Sequence, residues 1–357
     1  MILKNFQVLA FKNADTIFVS KFNKLYEYKI GDQKPIEIFA FPIDVKTYIS
    51  KFNVVLRRLF RIDIRYGIKL NSSQIALVYI NKIYKLDFIH KRIVSSVDIP
   101  RGSRPLNIVQ INGLNGFSDG FYFGEYFDNP QKSIVHIFEY INDELKIVYS
   151  FDENIINHIH NLIPDKINNC IWVLAGDFDD GAAIFKATDN FKNVERIVYG
   201  NQCFRSCVAF PTPKGLLYAT DSQFEENSVR LLTNLSGKWE SSFLFKINGS
   251  CIFGTQINDN FYFSTAVEAI NSGNIIKKYL RNTRGPGIIK SQVEIVQCNL
   301  QENFKVVYTN KKDCLPFILF QFGNIIFPTG ENYWNKLVFT SIATKNNDFS
   351  TEILNLE

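Results

Sequence analysis

Methionine and helix-forming segments are scarce in this 357-residue chain. It contains one methionine, and runs of the residue types that favour helices are few. Phenylalanine (33 residues) and tyrosine (16 residues) are abundant, and hydrophobic residues make up 46% of the chain. Aromatic and β-branched residues favour strands, and a chain of this length can bury a large core. The composition therefore favours a β-rich fold.

The sequence also lacks the segments that direct a protein to a membrane or anchor it there. The N-terminal residues Met1-Ile-Leu-Lys-Asn-Phe-Gln-Val8 include no long apolar core followed by a small-residue cleavage site. No apolar run is long enough to span a bilayer. We therefore expect a cytoplasmic protein.

Cysteine pairs at the usual disulfide or metal-binding spacings are absent as well. The six cysteines, at positions 170, 203, 207, 251, 298 and 314, include no CxxC motif. Only Cys203 and Cys207 are close in sequence. Without an export signal we expect reduced, buried thiols, and we do not expect a structural zinc site made of cysteines.

A concentrated basic surface is missing too. The net charge is +5 and the pI is about 8.7. The densest cluster is Arg57, Arg58, Arg61 and Arg65, and we interpret it as a solvated surface. A protein that follows nucleic-acid phosphates usually concentrates its basic residues on one face, so no nucleic-acid partner is expected.

What the sequence has instead is a repeated β-hairpin. Seven hairpins follow one another at a spacing of roughly 45 to 65 residues, in or slightly above the range of four-stranded propeller blades. The pattern predicts one all-β domain over residues 1–357, a β-propeller of four-stranded antiparallel blades. Seven blades are preferred, with six as the alternative. The paired segments are 16–20 with 24–28, 74–79 with 82–87, 120–124 with 134–140, 171–175 with 183–187, 215–220 with 228–232, 260–264 with 275–280, and 324–327 with 336–340.

Each hairpin is interpreted as the middle pair of a blade, with an innermost strand just before it. No linker or low-complexity stretch interrupts the series, and the Gly/Pro segment 281–287 is interpreted as a loop. The predicted innermost strands are 59–64, 105–111, 158–163, 204–210, 250–255 and 315–321.

Polar residues collect where the innermost strands begin and where the hairpin loops open, and both positions face the same end of a propeller. The basic residues at these positions are Arg104, His158, His160 and Arg205, and the acidic ones are Glu125, Asp177, Asp221 and Glu268. Arginine binds carboxylates and phosphates through paired hydrogen bonds. We therefore expect a polar, anionic ligand on one face, centred on blades three to six.

The histidines leave several interpretations open. His158 and His160 are two residues apart on a strand, so both rings should face one environment. They could be a metal pair, a catalytic pair or a stacked structural pair. His136 fits a structural role and His90 a solvated turn, and each acid taken alone also fits a loop cap or an ion pair.

Several segments between roughly residues 100 and 270 carry motifs known from other β-propeller proteins. Lys186-Ala-Thr-Asp189 is similar to a degenerate Asp-box without its Gly and Trp, in which Asp189 would cap a turn through backbone hydrogen bonds. The other segments are Phe123-Gly-Glu-Tyr126, His158-Ile-His160, Gly176-Asp177, Gly200-Asn-Gln-Cys-Phe-Arg205, Thr220-Asp-Ser222 with Asn227, and Ser264-Thr-Ala-Val-Glu268. With these segments the chain resembles bacterial sialidase-like (BNR/Asp-box-type) β-propeller proteins, which are associated with surface-polysaccharide genes.

The resemblance implies a carbohydrate-active protein of surface-polysaccharide metabolism, a glycoside hydrolase or polysaccharide-lyase-like enzyme acting on an acidic sugar or glycan. Sialidases use three arginines, and this sequence has counterparts for two of them, Arg104 and Arg205. The implied catalytic residues are His158, His160, Asp177 and Glu125, and the implied substrate-binding residues are Arg205, Arg104, Asp221, Glu268 and Tyr126.

Two points stay open at this stage. No metal ligands are assigned, although a divalent metal at His158 and His160 remains an option. The alternative to an enzyme is a non-catalytic propeller that binds glycans or serves as a scaffold in a polysaccharide-assembly complex.

Overall fold

The strands form seven four-stranded antiparallel sheets, which are the blades of a β-propeller. The computed structural model describes residues 1–269, 283–301, 303–332 and 334–356. The predicted all-β propeller with seven blades is confirmed. The chain also divides into two compact units, Met1–Ser96 with Gln223–Glu226 and Asn248–Glu357, and Val97–Ser222 with Asn227–Ile247. That residues 1–357 form a single domain stays a prediction.

Blades one, two, six and seven make up most of the first unit. In blades one and two the strands follow the chain order from the buried edge to the exposed edge. They are β2 (Gln7–Phe11), β3 (Thr16–Lys21), β4 (Lys24–Lys29) and β5 (Ile36–Ala40), then β6 (Tyr66–Lys69), β7 (Gln74–Tyr79), β8 (Lys82–Asp87) and β9 (Arg92–Asp98).

Blade seven is closed by the N-terminal strand of the chain. Its outermost strand is the two-residue β1 (Ile2–Leu3), in which Ile2 lies opposite Glu352. The other strands of blades six and seven are β22 (Ser250–Ile257), β23 (Asn260–Ala266), β24 (Gln292–Asn299) and β25 (Lys305–Lys311), then β26 (Asn324–Ile326), β27 (Lys336–Ile342) and β28 (Ser350–Asn355).

Blades three, four and five make up the second unit, which carries the candidate site. They again run in chain order. The strands are β10 (Val109–Ile111), β11 (Gly120–Gly124), β12 (Val135–Ile141) and β13 (Glu144–Phe151), then β14 (His158–Asp165), β15 (Cys170–Gly176), β16 (Ala183–Thr188) and β17 (Asn193–Tyr199), then β18 (Ser206–Thr212), β19 (Gly215–Thr220), β20 (Asn227–Leu235) and β21 (Lys238–Ile247).

Burial explains the residue patterns of these strands. All seven residues of β15 are buried, and its sequence is a continuous apolar run. In β17, at the outer edge of the same blade, one residue of the seven is buried. Strands covered on both faces read as apolar runs, whereas strands with a solvated face do not. Ile159, Val173 and Phe185 pack in one core cluster of blades three and four, which holds the inner strand β14 in place.

Two predicted innermost strands are wrong because the residues form helices. Segment 59–64 overlaps helix α2 (Val54–Phe60), which follows α1 (Val45–Ser50). The Asn53 side chain caps α2 by accepting a hydrogen bond from the Leu56 N–H. Segment 315–321 contains the short helix α3 (Phe317–Phe320). None of the helices in the described ranges is long and apolar enough to cross a membrane.

Two predicted hairpins pair differently from expectation. β23 pairs with β24, not with segment 275–280, which lies outside the described residues. In blade seven, β26 and β27 are the first and second strands, not the second and third. The regular spacing of the hairpins predicted that paired strands follow each other closely. It indicated neither the long separation in sequence between β23 and β24 nor the closure of blade seven by β1.

Two of the four arginines in the cluster are buried and are not part of a solvated surface. Arg57 and Arg58 are among the largest fully buried side chains of the chain. The Arg57 NH2 group pairs with Asp63 Oδ1 at 2.6 Å, and Arg58 pairs with Asp313. The interpretation of these two arginines was wrong because helix α2 packs them inward, where carboxylates neutralise their charge.

The Asp-box-like segment also differs from expectation. Asp189 lies in the turn between β16 and β17, as the resemblance implied. Its side chain pairs with Lys192 Nζ at 3.3 Å, while the turn is closed by a backbone bond from the Lys192 N–H to the Asp189 carbonyl. In the described part of the chain the Asp189 carboxylate caps no backbone N–H, so the predicted cap is wrong.

We predict that Asp63→Ala lowers the free energy of unfolding by about 3–5 kcal/mol, because it leaves the buried Arg57 charge uncompensated. Urea denaturation of the wild type and the variant measures this difference. The control is Glu37→Ala, which removes the partner of Lys24 in an exposed ion pair and should cost less than about 1 kcal/mol. Equal losses in the two variants would contradict the role given to the buried pair.

Candidate functional site

The two histidines of β14 meet at the start of the innermost strand of blade four. His158 Nε2 and His160 Nε2 are 3.1 Å apart. The pairing of β14 with β15 shifts register between Ile159 and Asn161, so His160 is the extra residue of a β-bulge. Both histidines are buried. The expectation that the rings share one environment agrees with this geometry.

Carbonyl oxygens fix the orientation of both rings. His158 Nδ1 lies 3.1 Å from the Phe127 carbonyl oxygen, and His160 Nδ1 lies 3.0 Å from the Ser206 carbonyl oxygen. A carbonyl oxygen can only accept a hydrogen bond, so each Nδ1 carries the proton. In the neutral form with its proton on Nδ1, each ring presents the lone pair of Nε2 to the other ring.

Asp177 joins the histidines from the loop after β15. Its Oδ1 atom is 3.4 Å from Nε2 of His158 and 3.4 Å from Nε2 of His160. The NH2 group of Arg205 lies 2.9 Å from the same oxygen. Burial works to raise the pKa of Asp177, but its contacts with the two histidines and the charge of Arg205 hold that pKa well below its usual value of 3.8. Asp177 is therefore ionised at neutral pH.

Gly176 makes room for the His160 ring. A Cβ atom at this position would lie 2.3 Å from His160 Cε1. Any side chain would therefore push the ring away from Asp177. Gly176 thus lets the backbone lie against the His160 ring, and Asp177, the next residue, supplies the carboxylate that faces the ring.

Blade five contributes a second set of polar groups. Arg205 and Asp221 lie on neighbouring segments, and the Asp221 N–H donates to the Arg205 carbonyl at 2.9 Å. The Arg205 NH2 group is 3.8 Å from Asp221 Oδ2. The Cys207 thiol donates to that same oxygen at 3.1 Å. We call His158, His160, Asp177, Arg205, Cys207 and Asp221 the polar cluster.

Cys207 is the member of the polar cluster that the sequence did not identify as a site residue. The register of β18 with β19 shifts between Ser206 and Val208, so Cys207 is also a bulge residue. It occupies the position in blade five that His160 occupies in blade four. Alignment of the two strands by their bulges could have indicated Cys207, but a bulge is visible only after the strands are paired.

Tyr126 and Arg104 lie beside the polar cluster. The ring centroid of Tyr126 is 4.4 Å from that of His158 and 6.1 Å from that of His160. Burial, reinforced by the negative charge of Asp177 and Asp221, raises the pKa of Tyr126, so its phenol stays protonated. Burial also lowers the pKa of Arg104, against the influence of Tyr126. In the part of the chain that the structure describes, the Arg104 guanidinium has no hydrogen-bond or ion-pair partner.

Two predicted site residues have their carboxylates engaged elsewhere. Glu125 forms a bidentate ion pair with Arg101, whose Nε is 2.7 Å from Glu125 Oε1. The Glu125 carboxylate also accepts a hydrogen bond from the His136 backbone N–H at 2.8 Å. Glu268, in the first unit, accepts a hydrogen bond from Ser250 Oγ at 2.9 Å. The catalytic role of Glu125 and the binding role of Glu268 stay predictions.

The chemistry of the polar cluster follows from its charges and acceptors. With neutral histidines, two carboxylates face one guanidinium, so the cluster carries net negative charge. Within the described residues, Asp221 Oδ1 is buried without a hydrogen-bond partner. Asp177 is the carboxylate with the most exposed side chain (21%). The arrangement can hold a cation or a proton inside, and Asp177 is the carboxylate most accessible to a larger ligand.

We predict that Cys207→Ala lowers the free energy of unfolding by about 1–3 kcal/mol, because it removes a hydrogen-bond donor to a buried carboxylate. Cys207→Ser keeps a donor and should recover part of the loss. The control is Cys314→Ala at an exposed thiol, which should stay within about 0.5 kcal/mol of the wild type. Urea denaturation measures all four proteins, and equal stability of Cys207→Ala and Cys314→Ala would contradict the bond to Asp221.

Comparisons with known proteins identify the fold. No family model matches the chain, and no curated protein matches it. Among solved structures, the crystal structure of the Mitotic Checkpoint Complex is similar at a TM-score of 0.57 and 7% identity, covering 100% of this chain and 91% of the other. The Cps50 (Swd1) β-propeller domain of Myceliophteria thermophila is similar at a TM-score of 0.57 and 8% identity, covering 99% and 97%.

A third similar structure is the WD40 β-propeller domain of Doa1, at a TM-score of 0.55 and 7% identity, covering 100% of this chain and 96% of the other. Identities this low show a shared fold and nothing finer. The comparisons therefore support a seven-bladed propeller with WD40-like structural neighbours, and they bring no sequence match to a sialidase-like family.

Proposed function

We propose that this protein is a non-catalytic binding propeller that takes an acidic carbohydrate ligand, such as a uronic-acid-containing surface glycan, beside the polar cluster. The observation that carries the proposal is Arg104. Its guanidinium is partly buried next to Tyr126 and has no carboxylate partner among the described residues. A guanidinium in that setting favours a carboxylate or phosphate supplied by a ligand.

An exposed aromatic ring supports a sugar as the ligand. Phe178 follows Asp177, is 38% exposed, and lies 5.6 Å from the Arg205 guanidinium carbon, measured to the ring centroid. An aromatic face beside a positive charge suits a ring that carries both apolar C–H groups and an acid. His160 and Asp221 are too buried to touch a sugar, so the contacts come from Asp177, Phe178 and Arg104.

The states of the carboxylates favour binding over hydrolysis. Glycoside hydrolysis needs one carboxyl group that is protonated at the working pH. The pKa of Asp177 is lowered, and Glu125 is held by Arg101. Neither carboxylate is suited to donate a proton. One of the similar structures, the Mitotic Checkpoint Complex, is a complex by its title, which agrees with a propeller used for recognition.

We predict that uronic-acid oligosaccharides bind the wild type and that Arg104→Met weakens binding at least about tenfold, the loss expected for a charge-assisted hydrogen bond. Isothermal titration calorimetry measures the dissociation constants. The control variant is Arg92→Met, at an exposed arginine of β9, and the control ligand is a neutral oligosaccharide of the same length. Equal binding of the acidic and neutral ligands, or unchanged binding by Arg104→Met, would refute the proposal.

The second candidate is a polysaccharide lyase, and the contact between Tyr126 and His158 favours it. In such an elimination an arginine neutralises the uronate carboxylate, and His158 Nε2 removes the C5 proton. The C4–O bond then breaks as the C4=C5 double bond forms, and Tyr126 donates a proton to the leaving oxygen. The raised pKa of Tyr126 keeps that proton in place until it is needed.

If the protein is a lyase, the wild type releases unsaturated uronates that absorb in the ultraviolet, and Tyr126→Phe lowers the rate by about a hundredfold or more. Tyr140→Phe, which alters a tyrosine of β12 on blade three, is the control and should keep the wild-type rate. Binding of uronates without any increase in absorbance would leave the binding proposal and remove the lyase.

A further inference from the structure

Three acceptor atoms converge at the centre of the polar cluster. The distance between His158 Nε2 and His160 Nε2 is 3.1 Å, and each of these atoms is 3.4 Å from Asp177 Oδ1. Both Nδ1 atoms donate to carbonyl oxygens, so in the neutral rings both Nε2 atoms present lone pairs. Two lone pairs and a carboxylate oxygen repel one another unless a positive particle lies between them.

We propose that His158 Nε2, His160 Nε2 and Asp177 Oδ1 bind one divalent first-row transition-metal ion, of the zinc type. Bonds of about 2.0–2.1 Å in a tetrahedron place neighbouring ligand atoms about 3.3–3.4 Å apart. The three measured separations lie at or near that edge length. The ligand set, two histidines and one carboxylate, leaves a fourth position for water or another ligand.

The surroundings of the three atoms match those of a built metal site. Histidine ligands usually donate their other ring N–H to a carbonyl or carboxylate, which fixes the ring for the metal. The carbonyl oxygens of Phe127 and Ser206 do this for His158 and His160. The Arg205 NH2 group contacts the same Asp177 oxygen at 2.9 Å and so holds the carboxylate in place. The net negative charge of the cluster further favours a cation.

The neighbouring thiol is a weaker ligand candidate. His160, Cys207 and Asp221 also have ligand atoms within 4.8 Å of one another. However, the Cys207 thiol donates to Asp221 Oδ2 at 3.1 Å, so the thiol keeps its proton. Because this group shares His160 with the first one, we assign one ion to His158, His160 and Asp177. Two imidazole nitrogens favour zinc, iron, nickel or copper over magnesium and calcium, which prefer oxygen ligands.

The test is metal titration of the full chain, without any sugar, after removal of bound metal by a chelator. Isothermal titration calorimetry with Zn²⁺ should show one ion per chain. Co²⁺ in the same site should give the visible absorption of a tetrahedral complex with nitrogen and oxygen ligands. His158→Ala and Asp177→Asn should each weaken Zn²⁺ binding by about a hundredfold or more, beyond the loss typical of second-shell changes.

The matched control is His136→Ala, which removes a histidine of β12 that contacts Ser150 and should bind Zn²⁺ as the wild type does. Circular dichroism and the melting temperature establish whether each variant is folded. If His158→Ala does not fold, Asp177→Asn provides the test of Zn²⁺ binding. A wild type without one-to-one binding overturns the proposal and leaves a proton shared between the two Nε2 atoms. Binding that survives in Asp177→Asn and in a folded His158→Ala overturns it as well.

Discussion

The candidate site depends on two hydrogen bonds in which histidine N–H groups donate to backbone carbonyls. The Phe127 carbonyl, in a loop of blade three, orients His158, and the Ser206 carbonyl, on the inner strand of blade five, orients His160. Blade four therefore carries the rings, while its neighbours on either side decide how the rings point. Because the bonds use backbone atoms, the orientation of the rings depends on how the blades pack and not on hydrogen bonds from the side chains at 127 and 206.

Asp177 connects this buried arrangement to the surface. The same carboxylate faces both histidines and Arg205, and its side chain is more exposed than those of its partners. A cation held by the histidines and Asp177 would add positive charge close to Arg205 and would strengthen the attraction for an acidic ligand. The two proposals therefore reinforce each other electrostatically, although each rests on different atoms: the metal on the ring nitrogens, and the glycan on Arg104 and Phe178.

The features that could be predicted from the sequence are those determined by residues close together in the chain. The hairpin of β7 and β8 was predicted at its observed bounds, because two strand-forming segments flank a tight turn. His158, His160 and Asp177 were predicted together, because strand starts and hairpin loops share one end of a blade. Partners distant in sequence were not predicted. Arg101 engages Glu125 from 24 positions away, and the closure of blade seven joins Ile2 to Glu352, and no local pattern encodes either contact.

The metal site and the lyase mechanism exclude each other, because both need the lone pair of His158 Nε2. With Nδ1 committed to the Phe127 carbonyl, His158 has only Nε2 with which to remove a proton. If Nε2 is a metal ligand, its lone pair is occupied, and His160 is occupied in the same way. The remaining carboxylates are poor substitutes, because Asp177 shares the ion and Asp221 is too buried to reach a sugar. A bound ion would therefore leave no free base within the polar cluster, which favours recognition of the acidic ligand over proton removal by these side chains.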